Sequence, residues 1–286
     1  MPLLMVGGFL GLSVGSSVAL TAVAVGVLLR DQGLSIPLAL AAGVALGGLL
    51  GLINGGVIIG LGLLPFIVTL GTMKMYRGAA KWLSESTAVY MPEESKTEWF
   101  GQLLAINPTP SEWTKQAPAQ LEPMARFVSQ MAPGVWLLLG LTLVVSVVLR
   151  YSVLGRYIHA IGSNEQTARL CGIPVGRVKL TVYGLAGLLT GLAGVLQFVY
   201  LDGTGDPVTA DGLELQVIAA VVIGGGSLSG GQGTVLGTLI GCLFMSVLSN
   251  GCVHAGFPNA TQDVLIGLII ILAVALDRLR RSRRLA

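Results

Sequence analysis

Two long stretches without any charged side chain constrain this chain more than any other feature of its sequence. Residues 1–29 contain no Asp, Glu, Lys or Arg, and residues 34–73 contain none either. A helix needs about 20 apolar residues to cross the hydrocarbon core of a bilayer, so the first stretch has room for one span and the second for two. Charged residues make up only 11% of the chain, whereas soluble domains contain roughly 25%. This deficit excludes a soluble globular protein.

The apolar stretches predict an all-α polytopic membrane protein, a single transmembrane domain over residues 1–286 with about eight spans. The stretch 215–229 is short, and we expect it to be a short span or a re-entrant segment. The spans expected after the first cover about 36–60, 64–82, 133–149, 181–201, 215–229, 232–253 and 262–276.

Charges in the connecting segments predict the orientation of the spans. The segment 150–180 has five basic residues and one acid, and the C-terminal tail 277–286 has five Arg and one Asp. Because basic segments stay in the cytoplasm, we expect both there, and we expect the acidic segment 202–214 and the long loop 83–130 outside. Three bases in the span 64–82 fit this orientation least well because they lie near its outer end, namely Lys74, Arg77 and Lys81.

The central parts of the predicted spans contain neutral polar side chains and no ionisable ones. Proton- and ion-driven carriers usually have ionisable groups there, so their absence argues against such a carrier. A neutral path fits an uncharged solute rich in hydroxyl groups, although the same side chains also suit hydrogen bonding between helices. These residues are Ser13, Asn54, Thr69, Gln197, Gln216, Ser246 and Asn250.

Glycines recur at intervals of four residues in several spans. Small residues at this spacing let helix backbones approach closely in lipid, where packing replaces the hydrophobic driving force. The pattern therefore predicts a compact bundle of helices. The clearest series are Gly43, Gly47, Gly51 and Gly55 in one span and Gly187 and Gly191 in another.

Strings that resemble enzyme motifs lack the context that their chemistry needs. Residues 11–15 follow the pattern of a hydrolase nucleophile elbow, but we expect them inside a charge-free helix and not in a strand–turn–helix unit. The glycine-rich segment 224–233 has no Gly-Lys-Ser/Thr and does not bind ATP as a P-loop does. The three Cys and two His have no metal-ligand spacing, and the net charge is only +3. We expect no enzyme activity, no bound metal and no nucleic-acid partner.

Three segments together resemble the membrane permease of ribose-type bacterial ABC importers. Residues 65–72 read Pro-Phe-Ile-Val-Thr-Leu-Gly-Thr, and residues 154–165 read Leu-Gly-Arg-Tyr-Ile-His-Ala-Ile-Gly-Ser-Asn-Glu. Residues 214–225 read Glu-Leu-Gln-Val-Ile-Ala-Ala-Val-Val-Ile-Gly-Gly and are followed by Ser-Leu and Gly-Gly pairs. The resemblance extends from about Gly7 to the C-terminus. Permeases for branched-chain amino acids and nucleosides are related, but the glycine-rich string is more typical of the sugar branch.

The resemblance implies an importer subunit of the bacterial plasma (inner) membrane that translocates ribose or a similar neutral monosaccharide by alternating access. It implies a second permease copy, an external solute-binding protein, and ATPase subunits that hold the ATP and Mg. The segment 150–180 would be the ATPase-coupling loop, with Gly155, Arg156, Asn164, Glu165, Ala168, Arg169 and Gly172 as its candidate residues. Within it, residues 165–170 read Glu-Gln-Thr-Ala-Arg-Leu and predict a short helix that ends at Gly172 and Pro174. Candidates for the translocation path are Asn54, Phe66, Thr69, Gln216 and Asn250.

The chain departs from the family pattern in three places. About two helices are missing before Gly7, so a truncated or mis-started chain is one expectation. An early motif that usually carries an acid has none in residues 7–15, and the loop 83–130 is longer than usual. The alternatives that stay open are a permease of the same family for nucleosides or branched-chain amino acids, and an ion-coupled secondary carrier.

Overall fold

The computed structural model describes residues 1–92, 132–228, 230–258 and 261–275, apart from 263, 270, 273 and 274. Within these ranges the chain is almost entirely helical. The helices are α1 (Pro2–Val6), α2 (Val14–Asp31), α3 (Ile36–Leu61), α4 (Pro65–Leu83), α5 (Pro133–Tyr151), α6 (Val153–Ser163), α7 (Glu165–Leu170), α8 (Val175–Tyr200), α9 (Leu213–Ile223) and α10 (Val235–His254). Further helical residues lie at 261–262, 264–269 and 271–272.

Proline and glycine set several helix ends. Pro65 and Pro133 stand at the first position of α4 and α5, where the missing N–H costs no hydrogen bond. Gly62 ends α3 in the left-handed conformation, with φ of 63°. The hydroxyl of Thr234 caps α10 by accepting a hydrogen bond from the Gly237 amide at 3.0 Å. These local signals explain why the observed bounds of α3 and α4 agree with the predicted spans.

Helix α2 lies at the centre of the molecule and packs against α3, α4 and α8. Glycines let α3 and α8 meet backbone to backbone, since a Cβ added at Gly187 would stand 2.8 Å from the Gly51 Cα atom. The predicted close approach of helices at glycines is therefore present between α3 and α8, and this contact, formed by Gly47, Gly51, Gly187 and Gly191, is called the glycine seam below. Helix α5, in contrast, has a single buried residue, Leu149.

Five of the described helices are long and apolar enough to cross a bilayer, namely α2, α3, α5, α8 and α10. This confirms an all-α polytopic membrane protein. The expected count of eight spans remains a prediction, because α9 is only 11 residues long. The loop 83–130 is described only up to residue 92, and the tail 277–286 lies outside the described residues.

The first predicted span is not one continuous helix. Residues 7–13 are non-helical and separate α1 from α2. The Gly-Leu-Ser-Val-Gly string therefore straddles a helix start and does not lie inside a helix, which corrects the expectation from the sequence. Ser13 is the residue that precedes α2.

Residues 201–212, here called the inserted loop, fold back along α2 and do not remain at the end of the bundle. Gly205 lies beside Ala22 and Val23, while the Ala210 carbonyl lies beside Gly15. The helical segment from Ala22 back to Gly15 corresponds to about 10 Å along the axis. Helix α9 thus begins inside the bundle, which agrees with the predicted short or re-entrant segment.

The two ends of the bundle carry different connecting structures. At the predicted outer end, the strands β1 (Val89–Tyr90) and β2 (Thr204–Gly205) form an antiparallel pair in which Val89 faces Gly205. At the predicted cytoplasmic end, α6 and α7 pack against α1 and the start of α8. The basic segment 150–180 and the acidic inserted loop therefore begin at opposite ends, as their charges predict.

The α3–α8 seam yields a stability prediction. Gly51→Ala places a methyl group against the α8 backbone, and overpacking of this kind costs about 1–3 kcal/mol. We expect a lower melting temperature in detergent than for the wild-type protein. Gly56→Ala on the same helix is the matched control, since nothing lies within 4 Å of the added Cβ. Equal melting temperatures for the two variants would contradict the seam.

Candidate functional site: coupling loop and polar cavity

The predicted coupling loop consists of two short capped helices. The Ser152 hydroxyl accepts a hydrogen bond from the Gly155 amide at 3.0 Å and starts α6. The Asn164 side-chain oxygen accepts one from the Thr167 amide at 3.0 Å and starts α7. Helix α7 coincides with the predicted Glu-Gln-Thr-Ala-Arg-Leu helix. It ends before Gly172, which has a φ of 80°. Glycine adopts this left-handed conformation readily because it has no Cβ atom.

Glu165 ties the loop to the start of α8. Its carboxylate accepts hydrogen bonds from Lys179 at 2.9 Å and from Arg169 at 2.8 Å. The Lys179 ammonium also stands 5.3 Å from the ring centroid of Phe9, a cation–π contact. Partial burial raises the pKa of Glu165, but the hydrogen bonds from Arg169 and Lys179 lower it more, so the pKa lies below its usual value. The structure thus brings two predicted coupling residues, Glu165 and Arg169, into one ion-pair cluster.

The other predicted coupling residues divide into buried and exposed groups. Ala168 is buried, and its carbonyl accepts a hydrogen bond from the Ile173 amide. Arg156 is exposed at the surface. The most exposed apolar side chain of the loop is Leu170, with 89% of its surface accessible. Sequence reasoning missed Leu170. A usable signal was an apolar residue directly after the basic Arg169, at the last position of the helix.

Glycines of the glycine-rich segment 224–233 pack against residues 6–8 and the end of α6. The Gly231 amide donates a 2.8 Å hydrogen bond to the Val6 carbonyl. A Cβ at Gly162, near the end of α6, would collide with both of these groups. The Gly-Gly pair that follows the segment 214–225 therefore packs on the segment 154–165. Val6 and Gly8 contact the same glycines.

The predicted path residues fall into two places. Gln216 and Asn250 come together and line a cavity of about 290 Å³ between α9 and α10. Asn54 lies apart from them, where its side chain donates a 2.9 Å hydrogen bond to the Ser13 hydroxyl and accepts one from Tyr76 at 3.2 Å. A cavity of only about 20 Å³ lies there, enough for one water.

The cavity between α9 and α10 has a mixed lining without a charged side chain among its described residues. Gln216, Ser246, Ser249 and Asn250 supply neutral donors and acceptors. The apolar part of the wall comes from Leu213, Val217, Ala220, Cys242 and Met245. Such a lining suits a ligand with hydroxyl groups on an apolar ring or chain.

Thr69 and Phe66 line neither of these two cavities. The Thr69 hydroxyl contacts the Leu10 carbonyl at 3.2 Å and the Pro65 carbonyl at 2.9 Å, so it satisfies backbone near the break before α2. Phe66 is exposed by 48% on the outside of α4. Their assignment to a translocation path remains a prediction.

Glu214 corrects the expectation that no ionisable residue lies inside the bundle. The sequence placed it in the acidic outer loop, yet it is the second residue of α9 and only 8% exposed. Its carboxylate oxygen Oε2 contacts the position of a Cβ on Gly15. A lack of ionisable groups inside the bundle therefore no longer counts against an ion-coupled carrier.

Arg77 is the base that fitted the predicted orientation least well, and its contacts explain its position. The guanidinium donates hydrogen bonds to the carbonyl oxygens of Pro207 at 3.0 Å and Thr209 at 2.6 Å. It also reaches the Ala210 carbonyl and the Asp211 carboxylate, both at 3.4 Å. Hydrogen bonds to the inserted loop thus account for the position of Arg77. Its charge therefore gives no information about the orientation of α4.

A helical membrane bundle with a basic loop at one end and a neutral polar cavity fits a transport permease. Within the described ranges no cluster of three or more His, Cys, Asp or Glu side chains is arranged to hold a metal ion. Residues 1–274 match the family described as "Branched-chain amino acid transport system / permease component".

The chain belongs to this family of ABC-transporter permeases. It is a multi-pass protein of the bacterial plasma membrane and not an enzyme, since members act as the membrane component beside ATPase and solute-binding partners.

Individual relatives are similar over most of the chain. The L-arabinose ABC transporter permease of Azospirillum brasilense is 36% identical over 98% of this chain and 75% of its own length. The ribose import permease of Escherichia coli strain K12 is 34% identical over 97% of this chain and 79% of its own. The autoinducer 2 import permease of an Enterobacter strain is 34% identical over 94% and 71%, respectively. No solved structure matches the chain.

The ion pairs of Glu165 predict how the coupling loop responds to pH. Because its pKa is lowered in the folded loop, the carboxylate stabilises the loop above the ordinary Glu pKa of about 4.3. This stabilisation is lost as the pH falls through the lowered value. Hydrogen exchange of residues 165–173, corrected for intrinsic rates, should be constant between about pH 5 and pH 7 and should accelerate at lower pH. Glu165→Gln should remove the change, and a pH dependence that persists in this variant would contradict the assignment.

Proposed function

We propose that this permease imports a neutral monosaccharide such as ribose or L-arabinose by alternating access. The observation that carries the proposal is the cavity of about 290 Å³ that Gln216 and Asn250 both line. Its volume is close to the lower end of the range for small-molecule sites, about 300–1,000 Å³. Four neutral polar side chains in its wall offer hydrogen bonds to hydroxyl groups without favouring a charged solute. Relatives named for arabinose and ribose support the same class of solute.

The proposal assigns the segment 150–180 to coupling with the ATPase. Exposed Leu170 forms an apolar contact for a groove of the ATPase, and the adjacent Arg169 adds positive charge, as does the exposed Arg156 earlier in the same segment. The Lys179–Glu165 pair connects this surface to α8, so that movement of the loop reaches a spanning helix. Energy comes from ATPase nucleotide states that favour different permease conformations.

The remaining assignments complete the assembly. A second copy of the permease forms a homodimer, for which the exposed faces of α5 and α10 provide apolar surface beside the lipid. The loop 83–130 and the inserted loop face the solute-binding protein outside, and the tail 277–286 lies in the cytoplasm. The single domain spans residues 1–286.

Reconstitution with candidate ATPase and binding proteins tests the class of solute. ATP turnover should rise with D-ribose or L-arabinose and should not rise with leucine or a nucleoside. Stimulation by leucine or a nucleoside alone would assign the permease to another branch of its family. This comparison needs no mutation and therefore separates the solute question from folding defects.

Substitutions in the cavity test its role in transport. Gln216→Leu and Asn250→Leu each remove hydrogen bonds to the solute, and we expect uptake to fall about tenfold, as for the loss of one or two buried hydrogen bonds. Gln32→Leu, at an exposed position beyond α2, is the matched control. Uptake that is unchanged in both cavity variants would remove the cavity from the path.

A substitution at the tip of the coupling loop tests the docking surface. Leu170→Glu introduces a charge that would be buried in the ATPase groove, and we expect the ATPase to be lost from the purified complex. The permease itself should still insert, because Leu170 is exposed. Val208→Glu, at an exposed position of the inserted loop, should leave the complex intact. Unchanged co-purification of the Leu170 variant would contradict the docking assignment.

A further inference from the structure

Glu214 occupies a place in the bundle where a carboxylate is costly. Its side chain is more than nine-tenths buried, and Oε2 has no hydrogen-bond partner among the described residues. The Oε2 atom and the Ala210 carbonyl oxygen both point at the spot beside Gly15 where a Cβ would stand. A buried charge requires a compensating charge or dipole. The first turn of α2 supplies a dipole, since its free N–H groups carry partial positive charge.

Arg77 is the basic side chain with described hydrogen bonds to this region. Its side chain is only 14% exposed, and its guanidinium donates a hydrogen bond to the Ala210 carbonyl, whose oxygen lies beside Gly15 of α2. Its one described acidic partner, Asp211, has a side chain that is 76% exposed and pairs at 3.4 Å. Such an exposed, screened contact contributes little. The positive charge of Arg77 therefore acts mainly on the loop carbonyls, and one of these, the Ala210 carbonyl, lies beside the same Gly15 position as Oε2 of Glu214.

Other charged groups do not interfere with this arrangement in the described structure. The first turn of α2, residues 14–17, contains only Val, Gly and Ser, and the remainder of α9 after Glu214 contains no ionisable side chain. Gln197 on α8 contributes a neutral contact, a 3.2 Å hydrogen bond from its amide to the Thr209 hydroxyl. The inserted loop thus binds one largely buried cation through its carbonyls and leads into a helix that begins with one buried anion.

We propose that Arg77 and Glu214 are positioning residues that hold the inserted loop against α2 as the outer gate of the permease. The proposal rests on the proposed function, because the loop leads from the predicted outer end to Leu213 and Gln216 at the cavity. The guanidinium holds the carbonyls of three loop residues. The Glu214 carboxylate, at the start of α9, lies against Gly15 in the first turn of α2, where the helix dipole favours a negative charge. When the gate opens, the loop leaves α2, and the Ala210 carbonyl moves away from Gly15 and Glu214.

A cysteine placed under the loop reports whether the loop is closed. Ala19 is fully buried on α2, one helical turn from Gly15 and on the face that contacts the loop. Ala19→Cys is introduced into a chain in which Cys171, Cys242 and Cys252 are replaced by Ala. Intact cells that express the permease without its partners are treated with a membrane-impermeant maleimide. Val208→Cys, at a position that is 57% exposed, serves as the reference for expression and surface delivery.

Labelling of the thiol introduced by Ala19→Cys should be slow when Arg77 and Glu214 are both present. It should be about tenfold faster in Arg77→Gln, the effect of losing one hydrogen bond to a charged group. It should also be faster in Glu214→Gln, which removes the attraction of the carboxylate to the guanidinium and to the first turn of α2. The double variant should label more slowly than the product of the two single effects predicts, because the charges compensate each other. Arg77→Lys keeps the positive charge. Glu214→Gln should therefore speed labelling by the same factor in the Arg77→Lys background as in the wild-type background.

Three results would overturn the proposal. The first is unchanged labelling in Arg77→Gln, and the second is a double variant of Arg77→Gln and Glu214→Gln in which the two single effects multiply. The third is that Glu214→Gln no longer speeds labelling in the Arg77→Lys background. Should Arg77→Gln fail to reach the surface, the cycle built on Arg77→Lys and Glu214→Gln decides the matter. The assay uses neither solute nor ATPase, so its failure would leave the proposed function standing. Failure of sugar-stimulated ATP turnover would leave the labelling result unaffected.

Discussion

Backbone N–H and C=O groups inside a bilayer have no water to bind, so every interruption of a spanning helix needs partners supplied by the protein. Two such interruptions lie in the described part of this chain, residues 7–13 and the inserted loop. At the first, the Leu10 carbonyl accepts hydrogen bonds from the Thr69 hydroxyl at 3.2 Å and the Tyr183 hydroxyl at 3.5 Å. At the second, Arg77 satisfies several carbonyls at once. Much of the remaining architecture follows from the need to bring these partners within reach.

The two interruptions meet because glycine at position 15 leaves room for the second beside the first. Gly15 lies in the first turn of α2 just after the first break, and Ala210 and Glu214 occupy the space beside it. The glycine seam between α3 and α8 serves a related purpose, since it brings Asn54 and Tyr183 to the same small cavity as Ser13. Close backbone packing and neutral polar contacts therefore add to the apolar clusters that hold the bundle together.

Sequence reasoning predicted the fold class, the long helices α3, α4 and α5, the coupling helix α7 and the glycine seam. These features depend on local signals such as apolar length, proline at helix starts and glycine spacing. It failed at Glu214 and Arg77, because a loop that folds back into the bundle has the same polar composition as one that remains outside. It also did not pair Gln216 with Asn250, since these residues lie far apart in the sequence and only tertiary packing brings them together.

The central claim is that this permease transports a sugar only when driven by its partners, and uptake into liposomes tests it most directly. Liposomes that contain the permease together with its ATPase and ATP, with the binding protein and labelled sugar on the opposite side, should accumulate the sugar against its gradient. Liposomes that contain the permease alone should not, whether or not a proton or sodium gradient is imposed. Accumulation by the permease alone under an ion gradient would contradict the account and would point to Glu214 as the ion-coupling group.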